Sequence, residues 1–261
     1  MGLYERERQL SILAGASACL CIISITCSGV PWGHWKEVLD TCMTASCECI
    51  LYGTQYFREF AGGNTSVCYF TTLAPVPVLI IAVFLAGYHG YRVCMYGRRM
   101  ERRPRRNGDV AVVQRDEEDR SPGFVWLILL VVIASSVCIL LIIASVILTD
   151  GYYATCSEYR RGLSRNTQVT GLMAAAINGR LTCGAIYDFM DYLEPVHRPF
   201  IRKEYVNYNR PHEEKDSERG GFINTGHSLQ TAIGTYWINS CTWIVIIILY
   251  GLIAFSKCRS K

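Results

Sequence analysis

The stretch FVWLILLVVIASSVCILLIIASVIL, residues 124–148, decides the architecture. It carries no charge, no proline and no glycine, and its few polar interruptions are small: Ser135, Ser136, Cys138 and Ser145. A helix rises about 1.5 Å per residue and the hydrocarbon slab is about 30 Å thick, so about 20 such residues cross it. Lipid offers open backbone groups no partner, so an apolar run of this length must be helical. Three more runs approach the same standard. They are Leu10–Val30, Tyr69–Tyr91 with Pro75 and Pro77 near one end, and Ala232–Phe255, whose most apolar half is Trp243–Phe255. The expected fold is an all-α membrane protein, a four-helix transmembrane bundle with spans at 10–30, 69–91, 124–149 and 232–255. The segments between and beyond them are 1–9, 31–68, 92–123, 150–231 and 256–261.

Composition agrees. Of the 261 residues, 51% are hydrophobic and 18% charged, and nearly all the charge lies between the apolar runs rather than spread as on a soluble surface. The net charge of +4 is modest, and the arginine cluster sits in a connecting segment rather than on a nucleic-acid-binding face, so no nucleic-acid partner is expected. The first run has a competing reading as a cleaved signal peptide. Its length and the sequence Ser28-Gly29-Val30-Pro31, which lacks a small-x-small cleavage site, favour a retained signal anchor.

Orientation follows from the basic flanks. Arg98, Arg99, Arg102, Arg103, Arg105 and Arg106 follow the second run, Arg6 and Arg8 precede the first, and the chain ends Lys257-Cys258-Arg259-Ser260-Lys261. In a four-span chain these three segments share one side, expected to be the cytosol. The arginine cluster there would contact acidic lipid, at about 1 kcal/mol per residue. The expected location is the plasma membrane. Arg103-Pro104-Arg105 and the C-terminal lysines also resemble retrieval signals, which makes the endoplasmic reticulum the alternative. Cys94 and Cys258, at the same side, are candidates for palmitoylation.

Segments 31–68 and 150–231 then face outward as two disulfide-braced loops. The first carries Asn64-Thr65-Ser66, a glycosylation sequon on Asn64. The thirteen cysteines sort by side: Cys42, Cys47, Cys49 and Cys68 in the first outer loop, Cys156 and Cys183 in the second. Even numbers on the oxidising side suit disulfides. Cys156 would pair with Cys183. Four cysteines allow three pairings, and the favoured one is Cys49–Cys68 with Cys42–Cys47. A zinc site is the rival for these thiols, but no histidine stands at ligand spacing beside them.

His34, His89, His197, His212 and His227 form no zinc-protease pattern, and no serine sits in a GxSxG turn. Asp188, Asp191 and Glu194 could share a helix face and hold a cation, or simply form a solvated edge. No catalytic residue, metal or cofactor is expected. Within the runs the only ionisable group is His89, which also weakens a transporter reading. Ser17, Ser24, Ser135, Ser136, Asn239, Ser240 and Thr242 offer hydrogen bonds between helices, and Ala14, Gly15, Ala18 and Cys19 a small face for close packing. The second outer loop holds Tyr152, Tyr153, Tyr159, Tyr187, Tyr192, Tyr205 and Tyr208. Such tyrosines suit either protein recognition or packing of the loop on itself.

Trp32-Gly33-His34-Trp35 with Cys42 and Cys47 is claudin-like in layout only, and Cys183-Gly184 stands alone where a tetraspanin would have Cys-Cys-Gly. Cys49-Ile50-Leu51-Tyr52, Cys68-Tyr69-Phe70 and Arg92 resemble the first half of the transmembrane protein 179 family. Cys156, Cys183, Gln230, Gly234, Trp237, Ser240 and Trp243 resemble its second half. Cys42, Cys47, the arginine-rich segment and the long second loop depart from that family. Insect Pasiflora tetraspans of septate junctions are similar in layout. The resemblance implies no catalytic residue. The expected function is a non-enzymatic tetraspan of cell–cell junctions or adhesion, with membrane lipids and membrane or junctional proteins as partners and self-association compatible with its packing faces. The alternative is an accessory subunit of a channel, receptor or transporter or, less favoured, a channel or transporter itself.

Overall fold

The computed structural model describes residues 3–38, 48–56, 59–102, 123–166, 181–193 and 223–259. Among them the order is α1 (Leu3–Val38), β1 (Cys49–Tyr56), β2 (Glu59–Gly63), α2 (Thr65–Leu73), α3 (Pro75–Arg102), α4 (Phe124–Asn166), α5 (Cys183–Leu193) and α6 (Thr225–Arg259). Among the described residues, four helical stretches are long and apolar enough to cross a membrane, within 4–36, 65–95, 125–164 and 225–259.

Each of these four stretches extends beyond the apolar run that predicts it. Hydropathy marks where apolar side chains stop, whereas a helix stops where its backbone bonding fails. Asp150-Gly151-Tyr152 ends the third apolar run but supplies no proline, so α4 continues to Asn166. Helix α1 likewise runs through Pro31, which was expected to begin a loop. Proline there forgoes one hydrogen bond to the preceding turn without ending the helix. The second span is broken rather than continuous: α2 stops at Leu73, Ala74 makes a turn and α3 begins at Pro75. A residue before proline is driven out of the helical region, while proline itself suits a first helical position.

The chain forms two compact units, one of residues Met1–Ser24, Leu73–Ser145 and Gly234–Lys261, the other of Ile25–Thr72 and Val146–Ile233. In the first, the helical unit, α4 buries Leu127, Leu130, Ala134, Val137, Leu141 and Ala144 at helical spacing. Its other face leaves Val125 81%, Val132 57% and Ile139 59% exposed. A helix apolar on both its packed and its bare face is built for lipid, not water.

The second, the disulfide unit, contains a two-stranded antiparallel sheet that the all-α reading omitted. Tyr56 pairs with Glu59, Thr54 with Ala61 and Cys49 with Gly63, so β1 bulges between Cys49 and Thr54. Tyr52 lies in that bulge at a φ of 57°, the left-handed region that a bulky residue rarely adopts. Two glycines permit it. A β-carbon on Gly53 would run into the Phe60 ring, and one on Gly63 into the Leu51 carbonyl.

Candidate functional site

The disulfide unit brings together residues far apart in sequence. Cys49 bonds Cys68, tying β1 to α2, and Cys156 bonds Cys183, tying α4 to α5. Both pairs are among those read from the sequence; Cys42 and Cys47 lie outside the described residues. Around these bonds run polar contacts between elements. The Thr155 hydroxyl donates to the Ile50 carbonyl at 2.8 Å and accepts the Gly53 N–H at 3.0 Å, fixing the bulge on α4. The Tyr52 hydroxyl donates to Asp150 at 2.9 Å. Burial, and then the hydrogen bond to Asp150 and the negative charge of that carboxylate, push the Tyr52 phenol up to about 12.

On the α5 side, the Tyr187 ring stacks on Tyr152 with centroids 4.7 Å apart, and its hydroxyl donates to the Tyr152 carbonyl. Gln230 donates to the Tyr152 hydroxyl at 2.8 Å. Full burial raises the Tyr187 phenol strongly. Asp191 accepts the Thr225 N–H at 2.7 Å, and Thr225 in turn accepts the Trp35 indole N–H at 2.9 Å. Burial lifts the Asp191 carboxyl above its usual range, with the Thr225 contacts opposing. Gly184 and Gly226 allow α5 and α6 to meet backbone to backbone, since a β-carbon on Gly226 would sit 3.1 Å from the Gly184 carbonyl oxygen.

The tyrosines divide. Tyr152, Tyr159 and Tyr187 are buried, packing the unit on itself, whereas Tyr153 is exposed. Of the others, the Tyr192 side chain, Tyr205 and Tyr208 are outside the description. Asn64 is exposed and caps α2, its Oδ1 accepting the Ser66 N–H at 2.9 Å. Asp188, Asp191 and their neighbours form no metal-ligand group among the described residues, and Glu194 lies outside them.

The helical unit holds a cluster that the sequence reading missed. Glu7 is buried, its carboxylate accepting from Arg92 Nη1 at 2.9 Å and from His89 Nδ1 at 2.7 Å; His89 Nε2 lies 2.8 Å from the Tyr250 hydroxyl. A carboxylate only accepts, so Nδ1 carries a proton. Arg6 adds a bond to the Leu252 carbonyl at 3.1 Å. The available signals were an acid between Arg6 and Arg8, and His89 three residues before Arg92, a helix-face spacing. The pairing with α1 and α6 needed their register.

That register appears in a polar ladder. Trp243 donates to Ser17 at 2.9 Å, Asn239 to the Cys21 sulfur at 3.3 Å, and Ser24 bonds Thr235 at 2.8 Å. Antiparallel helices match at these steps. Ser240 meets Ser145 across to α4 at 3.4 Å, while Ser135, Ser136 and Thr242 bond carbonyls of their own helices. Of the expected small face, Ala14 is buried, but Cys19 is exposed and a β-carbon on Gly15 would touch nothing.

Cys94 and Cys258 are exposed and unbonded. Arg98, Arg99 and Arg102 belong to the last turns of α3, their side chains outside the description, as are Arg103, Arg105 and Arg106 altogether. No protein-family model, curated protein or solved structure matches this chain.

Proposed function

We propose that the chain is a non-enzymatic tetraspan of the plasma membrane, with both ends in the cytosol, that joins cell–cell junctions or adhesion sites through its disulfide unit. One observation carries the reading. Two disulfides, a bulged hairpin and hydrogen bonds between five elements hold the ends of long helices together with the segments that connect them. Such pre-ordering lowers the entropy lost on binding a partner, which is what a recognition platform needs. Exposed Tyr153 and Phe189, 59% and 50% accessible, supply aromatic contact area. In this reading Asn64 carries a glycan, the arginines of the 92–123 segment meet acidic lipid, and Cys94 and Cys258 are acylation sites.

The tagged protein in polarised epithelium should concentrate at lateral contacts and co-purify with a junctional protein. Uniform surface staining without such a partner would sink the proposal. A second reading, an accessory subunit of a channel, receptor or transporter, draws on uncovered Gly15 and Cys19 of α1, where another helix could approach closely. A stoichiometric complex with a pore-forming protein would favour it.

A further inference from the structure

The two disulfides differ in ways that bear on their chemistry. Cys49 and Cys68 are 0% and 2% exposed, so both sulfurs are shut away. The acid next in sequence, Glu48, forms an ion pair with Lys36 at 3.6 Å, and among the described residues no cation bonds either sulfur. Cys156 is equally buried at 1%, but its partner Cys183 is only half-buried. The guanidinium of Arg160 donates from Nη2 to the Cys156 sulfur at 3.9 Å and to the Leu181 carbonyl at 2.7 Å. The second bond holds the cation beside the disulfide and spans from α4 to the residues just before α5.

Thiol–disulfide exchange depends on which sulfur is reached and on how stable the departing thiolate is. A neighbouring cation stabilises a thiolate. Both conditions coincide at one bond here, each on its appropriate sulfur.

We infer that Cys156–Cys183 is a thiol-exchange site: external monothiols attack Cys183, and Cys156 leaves as a thiolate paired with Arg160. In the first step the thiolate RS⁻ forms a bond to Cys183 Sγ as the Cys183–Cys156 bond breaks, and the electron pair departs on Cys156 Sγ. A second RS⁻ then attacks the external sulfur of the mixed disulfide, releasing RSSR and the Cys183 thiolate. The protein gains two electrons, two monothiols lose them, and the thiolates take up solvent protons as pH dictates. The product frees α5 from α4 covalently, leaving the Tyr187–Tyr152 stack and the Asp191–Thr225 bond to hold it. Cys49–Cys68 is the inert internal reference. The inference concerns the isolated protein and does not require the junctional role.

The test uses the full-length protein in nanodiscs, exposed to graded reduced glutathione at neutral pH, quenched by alkylation and mapped by mass spectrometry. Cys156–Cys183 should open at least about tenfold faster than Cys49–Cys68, with the glutathione adduct trapped on Cys183. Arg160→Gln should slow that opening severalfold, and Arg160→Lys should restore part of the rate. If Arg160→Gln instead loosened the fold, both bonds would open faster, a pattern opposite to the one expected. Equal rates for the two bonds, an adduct on Cys156, or an Arg160→Gln rate equal to wild type or higher would each overturn the inference.

Discussion

The two units solve the same problem, keeping helices in register, with different bonds. In the helical unit the contacts that fix register are single hydrogen bonds, Trp243 to Ser17 and Ser24 with Thr235, and one ionic cluster around Glu7. The apolar residues on the outside of α4 gain little by leaving lipid for another helix, so close packing and polar contacts carry specificity there. The disulfide unit has such hydrogen bonds too, and adds covalent ties, stacked tyrosines and a hairpin. The difference lies in the fastening: a few hydrogen bonds and an ionic cluster set the register in one unit, and cross-links are added to such bonds in the other.

The sharpest way to break this contrast is at Glu7. Glu7→Ala leaves His89 and Arg92 without their carboxylate, and should cost about 3–5 kcal/mol if the site is as dry as its burial indicates. Denaturant titration in detergent would read it, and a loss near zero would mean that water reaches the cluster. Next, Cys156→Ser with Cys183→Ser should destabilise the disulfide unit by about 2–5 kcal/mol. Thermal unfolding followed by labelling of the buried Cys138, in the other unit, should change far less. Smaller still, Ser24→Ala should remove about 0.6 kcal/mol, the usual scale for a hydrogen bond between membrane helices, measured in the same titration. A cost of several kcal/mol would make the ladder far stronger than such bonds usually are.

The pH response sharpens the contrast from the other unit. Asp191 holds its proton in the fold above the ordinary carboxylate value because it is buried. Between pH 3.8 and its raised folded value, the unfolded chain has lost this proton and the folded chain retains it. Stability therefore falls as pH rises through that window. Asp191→Asn should flatten that fall in pH-dependent melting, and an unchanged slope would assign it to another group. Tyr52 works in the same direction at alkaline pH, its contribution declining from about 10, the ordinary tyrosine value, to about 12.

Much of this was legible in the chain. Apolar length marked the four long helices. Even numbers of cysteines in segments 31–68 and 150–231 pointed to disulfides, with Cys49–Cys68 the favoured choice among three pairings and Cys156–Cys183 the pair in the second segment. Other features leave no local signal in the sequence. The extension of α4 past Asp150 leaves no hydropathy signal, because helical bonding continues through polar residues. The β1–β2 hairpin was not read from Cys49-Ile50-Leu51-Tyr52, since its bulge breaks the alternation that marks a strand. Tyr152, Tyr159 and Tyr187 carry the same letter as exposed Tyr153, and only tertiary packing separates them. The Glu7 cluster joins three helices by their register, which no local pattern encodes.

The cap of α2 has a consequence for the sugar proposed on Asn64. An N-linked glycan attaches through Nδ2, whereas the cap uses Oδ1, so sugar and helix start make no competing demand on the side chain. Enzymatic release of the glycan as a glycosylamine leaves aspartate, itself a good helix cap and a negative charge at the favourable end of the helix. Deglycosylated protein should therefore keep the start of α2 and, with it, the position of Cys68 opposite Cys49.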